Sequence, residues 1–201
     1  EFGSHTQSKI DCGAEIAAGL GFSAVQNNDR VGLLMFSDQI EHYSPPRQGK
    51  KHMFRLIREM VNVTPESRQT NISNAIEYAL KVIRKKAIIF LISDFIDPHY
   101  HQALKTLNRK HEVVPIVIED PKELVLPKSG LVTLEDDETG EQVVINTYSN
   151  DIRMRFRNIV LARRLERNRS FKSMKLRPIT INTEKPFWDI VVSYFQTKRL
   201  K

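Results

Sequence analysis

The chain has 201 residues, of which 40% are hydrophobic and 27% charged, the balance of a folded globular protein, which excludes disorder as its main theme. Lys and Arg interrupt the sequence too often for a membrane helix, which needs roughly 18 to 20 apolar residues in a row. The formal charge of +7 suits nucleic acid, a membrane surface or an acidic protein partner, while a single Cys12 and the absence of an apolar leader in Glu1 to Ile10 point to a reducing cytoplasm.

In chain order, Ile16, Ala17, Leu20 and Ala24 recur at helical spacing and predict a helix from Ile10 to Val25, stopped by Asn27-Asn28-Asp29. Val31 to Phe36 is apolar on both faces, as a strand covered by helices on both sides must be. Ile40 to Tyr43 is expected to fold back on it as an antiparallel edge strand, with Pro45-Pro46 ending the pairing. Lys51 to Met60 reads as a short amphipathic helix and Pro65 to Gln69 as a polar loop. Ile72, Ala75, Ile76, Ala79, Leu80 and Ile83 mark a further helix. Ala87 to Ile92 is a second buried strand, running into Ser93-Asp94. His99 to Arg109 is helical, and Val113 to Ile118 is a third buried strand, broken by Asp120-Pro121.

This alternation of strand and helix implies right-handed crossovers and an open, mostly parallel, doubly wound α/β sheet. Leu131 to Glu135 and Gln142 to Asn146 then flank an acidic, glycine-containing loop and predict a small hairpin insertion projecting from the main sheet. Next comes a basic segment with Arg153, Arg155, Arg157, Arg163, Arg164, Arg167, Arg169, Lys172, Lys175 and Arg177 against only Asp151 and Glu166. It reads as a helix with a solvated basic face and an apolar stripe of Ile152, Phe156, Ile159 and Val160. Pro178 to Ile181 offers a last strand. Thr183 is the expected N-cap of a closing helix with the stripe Phe187, Ile190, Val191, Tyr194 and Phe195, and Trp188 beside it reads as packing. Without repeats or a linker, residues 1–201 are one domain.

No phosphate-binding glycine loop, dinucleotide fingerprint, nucleophile elbow or His-Glu-x-x-His occurs. His99 and His101 stand two apart on a helix, point in different directions and make a poor metal pair. A hydrolase built on Asp94, Asp97 and His99 lacks both a second ligand cluster and a nucleophile, so the expectation is a non-enzymatic protein. What remains is Ser93-Asp94 at the carboxyl end of a central strand and Thr70 at the start of a helix. Ligands of open α/β sheets gather at that edge, and a carboxylate with a hydroxyl suits a hard cation such as Mg²⁺. Equally, Thr70 could cap its helix and Asp94 accept loop N–H groups.

The segments Asp29-Arg30-Val31-Gly32-Leu33-Leu34-Met35-Phe36-Ser37, Thr70-Asn71-Ile72 and Ile92-Ser93-Asp94-Phe95 appear in an order that resembles the bacterial domain-of-unknown-function family fifty-eight, which has a von Willebrand factor type A-like core. The resemblance continues through Glu119-Asp120-Pro121-Lys122-Glu123-Leu124 and the Leu134 to Glu141 hairpin, covering almost the whole chain. It implies a metal-ion-dependent adhesion site whose separate threonine and aspartate would be Thr70 and Asp94, with Ser93 and Asn71 beside them as partner-binding positions. The family's Asp-x-Ser-x-Ser motif is absent, and Glu1-Phe2-Gly3-Ser4 resembles the stretch that normally comes just after that motif. The resemblance therefore implies a C-terminal fragment lacking the first, central strand, with an incomplete metal site.

On that reading the strands Val31 to Phe36 and Ala87 to Ile92 would flank a gap, and their backbone groups would be satisfied by direct pairing or by self-association with a second copy. The function implied is a protein–protein interaction module working with a MoxR-type AAA+ ATPase in a chaperone or assembly role. Mg²⁺ or Mn²⁺ would bind in the intact parent and no cofactor in this chain alone. The expectation is a cytoplasmic protein with neither specific nucleic-acid binding nor membrane contact. The alternative is nucleic-acid binding through the basic 153–177 segment, which has no recognised motif.

Overall fold

The computed structural model describes residues 8–63, 67, 69–97, 99–126, 128–135, 142–189 and 191. Helix α1 (Lys9–Gln26) starts at Ser8, whose hydroxyl accepts from the Asp11 amide, and leads into β1 (Val31–Phe36) and β2 (Ile40–Arg47). Helices α2 (Lys50–Asn62) and α3 (Ile72–Val82) are next, then β3 (Ile88–Ser93), α4 (His101–Lys110) and β4 (Glu112–Glu119). A 3-10 turn (Pro121–Leu124), the hairpin β5 (Leu131–Glu135) and β6 (Gln142–Asn146), α5 (Asn150–Ser173) and β7 (Ile179–Asn182) complete the order.

Strands β3, β4 and β7 form a parallel sheet with β4 in the middle. The antiparallel pair β1-β2 and the hairpin β5-β6 are separate two-stranded sheets. The side-chain alternation of a strand explains how two cores form on opposite faces of one sheet. Val113 and Val117 of β4 join Leu91, Ile72, Ile76, Leu104, Leu107 and Phe171 on one side. Val114, Ile116 and Ile118 join Cys12, Ile16 and Leu20 of α1, with Ile179 and Ile181, on the other. Strand β1 divides in the same sense: Leu34 and Phe36 pack against the first core, while Val31 and Leu33 pack against Val25, Met53 and Leu56. Sheet pieces β1-β2 and β3-β4-β7 therefore lie in one layer, with α1 touching β1, β3 and β4 across one face. Gly13 permits that approach, since a side chain there would meet Ile118 at 3.3 Å and Ile92 at 3.5 Å.

The mixed α/β architecture agrees with the sequence reading, and several particulars differ. Among the described residues β1 pairs with β2 and β3 pairs with β4, and the two do not pair with each other. Pairing of β2 continues through Pro45-Pro46 to Arg47, which lies opposite Val31, because a register shift between Val31 and Leu33 absorbs the prolines on an edge strand. Asn71, not Thr70, caps α3 by accepting from the Asn74 amide. Ile159 points outward rather than into the packed stripe. Thr183 lies in a turn after β7; of the expected closing stripe, Phe187 and Val191 are buried, while Ile190, Tyr194 and Phe195 lie outside the described residues. Trp188 packs as expected, its ring filling the space over Gly19 and its indole N–H donating to Glu15 at 3.2 Å. The acidic hairpin loop 136–141 and most of the 65–69 loop also lie outside the described residues.

Candidate functional site at the carboxyl edge of the sheet

Strand β3 ends in Ser93-Asp94-Phe95, and the turn is made by Phe95 in the left-handed region, at φ 57°. That conformation costs a non-glycine residue about 1 kcal/mol. It is held because the buried Phe95 ring packs edge-on against Tyr100 and Phe171, at centroid distances of 5.3 and 5.1 Å. The Ser93 hydroxyl accepts from the Phe95 amide at 3.1 Å. A strained, aromatic-anchored turn thus fixes where the Asp94 carboxylate stands.

Asp94 is not a free carboxylate. Its Oδ2 lies 2.9 Å from the Lys9 ammonium, which also bonds Glu123. Burial by itself would lower the Lys9 pKa, but the hydrogen bonds and charges of Glu123 and Asp94 outweigh it and hold the ammonium above its ordinary value. Glu123 lies 3.6 Å from Arg164, which pairs with Glu119 at 2.8 Å, and Glu119 in turn bonds Arg167. Arg167 closes the circuit by donating to the Asp94 carbonyl at 3.2 Å. Three cations and three carboxylates from α1, the ends of β3 and β4, the 3-10 turn and α5 therefore form one continuous ring. Arg167 is only 8% exposed, and its Nε has no hydrogen-bond partner among the described residues.

A second polar cluster ties β1 and the loop after β3 to the start of α3. The Asn71 amide donates to the Ser37 carbonyl at 2.9 Å, and the Asn74 side chain donates to the Asp38 carbonyl at 2.9 Å. The Ile72 amide donates to Asp97 at 2.8 Å, while the other oxygen of Asp97 accepts from the His99 amide at 2.8 Å. Asp97 is thus a structural clamp that satisfies one of the open N–H groups of the helix end. Thr70 is exposed just before the cap.

Of the sequence-predicted residues, Asp94 belongs to the ring, Ser93 braces the turn beside it through the Phe95 amide, Asn71 belongs to the α3 cluster, and Thr70 stands exposed next to that cluster. The described residues include no group of three or more His, Cys, Asp or Glu side chains able to hold a metal ion. With Asp94 already bridged by Lys9, Thr70 and Asp94 do not make a Mg²⁺ site by themselves, since that ion demands a near-octahedral set of oxygens. None of Lys9, Glu119, Glu123, Arg164 and Arg167 is expected at this site from the sequence; Arg164 and Arg167, read as part of a solvated basic face, are instead largely buried and ion-paired. The one local signal was that Arg164 and Arg167 sit on the same helical stripe as Phe156, Val160 and Phe171, where an unpaired charge would not be tolerated.

The sheet with helices on both faces and a polar carboxyl edge defines the class as an open α/β domain. The same fold occurs in BatB from Bacteroides thetaiotaomicron, a conserved hypothetical protein whose crystal structure is 16% identical, with a TM-score of 0.54 over 92% of this chain and 87% of that one. The DUF58 family, described as a protein of unknown function, matches residues 1–166, and the chain belongs to that family. The uncharacterised protein Rv1480 of Mycobacterium tuberculosis is 24% identical over 99% of this chain, which spans 63% of that relative's length. The uncharacterised protein MAV169 of Mycobacterium avium is 26% identical over 77% of this chain and 93% of its own. No helix among the described residues is long and apolar enough to cross a membrane.

Proposed function

We propose that this domain is a non-enzymatic, cytoplasmic protein-interaction module of the von Willebrand factor type A kind, acting with a MoxR-type AAA+ ATPase in a chaperone or assembly role. The observation that supports it is the placement of Ser93-Asp94 at the carboxyl end of β3, in a loop that reaches the N-terminus of α3 through Asp97, where open α/β sheets take their ligands. In this reading the divalent cation belongs to the longer protein, in which Thr70 and Asp94 add two oxygens to ligands supplied from outside this chain. Lys9 holds Asp94 in the meantime, a tethered cation standing where a metal ion would compete.

The test is binding of the longer protein to a MoxR-type ATPase from the same organism, with Mg²⁺ and with chelator. The proposal expects Mg²⁺-dependent association that is lost in the Asp94→Ala variant. Association indifferent to both chelator and Asp94 would refute the cation-dependent mode, and no association at all would refute the partner.

A further inference from the structure

Helix α5 is 24 residues long, about 36 Å, and carries two distinct faces. Its inner face, with Phe156, Val160, Arg164, Arg167 and Phe171, is buried or half-buried against the domain. On another side Met154, Leu161 and Leu165 are 63%, 37% and 58% exposed. They lie on one line with the exposed Asn158, Asn168 and Lys172, at alternating intervals of four and three residues. That interval is the seam of a coiled coil, narrower than the apolar face by which a helix packs onto a globular core.

The borders of the seam are basic. Arg155, Arg157 and Arg169 are exposed and make no ion pair among the described residues, in contrast to Arg164 and Arg167, which are consumed by the carboxylate ring. This charge pattern selects the occupant. A second copy of α5 would bring arginine against arginine across the seam, which is destabilising. An anionic membrane would call for a wide apolar face with aromatic anchors, whereas this seam is narrow, is interrupted by two asparagines and has no aromatic residue. Nucleic acid would use the arginines but gain nothing from Met154, Leu161 and Leu165, and the two aromatic residues of the basic stretch, Phe156 and Phe171, are half-buried and fully buried on the inner face.

We infer that the outward seam of α5, Met154, Leu161 and Leu165 bordered by Arg155, Arg157 and Arg169, is a docking face for an acidic amphipathic helix of a partner protein. Leucine-type side chains of that helix would pack along the seam while its flanking Glu or Asp residues pair with the three arginines. This surface is independent of the sheet edge and of the cation proposed there.

The experiment uses a fluorescent four-heptad peptide with Leu along its seam and Glu at the flanking positions, together with a second peptide in which every flanking Glu is Lys. Anisotropy should show saturable binding of the acidic peptide to the full chain, weakened by salt. Binding should fall about tenfold or more in the Leu161→Glu/Leu165→Glu variant. In the Arg155→Glu/Arg157→Glu/Arg169→Glu variant, preference should switch to the basic peptide, an outcome that a merely unfolded variant could not produce. Failure of the acidic peptide to bind, or binding untouched by the leucine substitutions, would overturn the inference. So would arginine-dependent binding of phosphatidylserine vesicles or duplex DNA that persists without the leucines.

Discussion

Strands β4 and β1 are equally apolar in sequence and fare differently in the fold. β4 is paired on both edges, with β3 and β7, and Val113 to Ile118 are buried without interruption. β1 is paired on one edge among the described residues, and not one of its six residues is fully buried. Strand β3 is intermediate, paired with β4 and with Leu91 alone fully buried. An all-apolar run therefore records what a strand requires on its two faces, while its neighbours decide how far the requirement is met. β1 and β3 share a layer covered on opposite faces by α1 and α3, and each is paired on one edge among the described residues.

Substitutions sharpen this contrast. Ile116→Ala, in the fully buried centre of β4, should cost about 4 kcal/mol, against about 1 to 2 kcal/mol for Leu33→Ala in half-buried β1. Denaturant unfolding of both variants measures the difference, and equal losses would mean that β1 is as well packed as β4. The ionic ring comes next. Arg167→Ala deletes a cation that is 8% exposed and leaves Glu119 with Arg164 alone, a loss of about 2 kcal/mol. The exposed Arg163→Ala should stay within about 0.5 kcal/mol, so equal effects from the two arginines would dissolve the ring as a structural unit.

The smallest effect concerns His111, buried between α4 and β4 with neither ring nitrogen hydrogen-bonded among the described residues. Burial, and then the charge of Lys110, lower its pKa, so the folded state keeps the neutral ring. A depressed folded pKa contributes stability that is complete above the unfolded value of about 6.5 and is lost as pH falls from there through the folded value. Thermal unfolding of wild type should therefore decline more steeply below that pH than His111→Leu. Parallel pH profiles would show that His111 takes up its proton without cost.

Strands and helices were legible because their periods of two and 3.6 are local properties of the chain. The bounds of β1, β5 and β6 coincide with their apolar runs. What failed was decided by partners. Pro45-Pro46 reads as a break, yet on an edge strand with a register shift the missing N–H groups cost little. Thr70 reads as the cap of α3, yet the contact of the next residue's amide with the Ser37 carbonyl places Asn71 in that role. Of the candidate site, Ser93 and Asp94 could be placed at a strand end from sequence. Their connection to Lys9, 85 residues away, and through Arg167 to Glu119, 48 residues from it, has no local signature.

The proposal that Asp94 serves a cation-dependent interaction site is tested most directly by a Mn²⁺ or Mg²⁺ titration of the longer protein beside its Asp94→Ala variant. Saturable binding of one ion, abolished by the substitution, is the predicted result. Absence of binding, or binding that survives the loss of Asp94, would contradict the account and leave Asp94 as a structural member of the Lys9–Glu123–Arg164–Glu119–Arg167 ring.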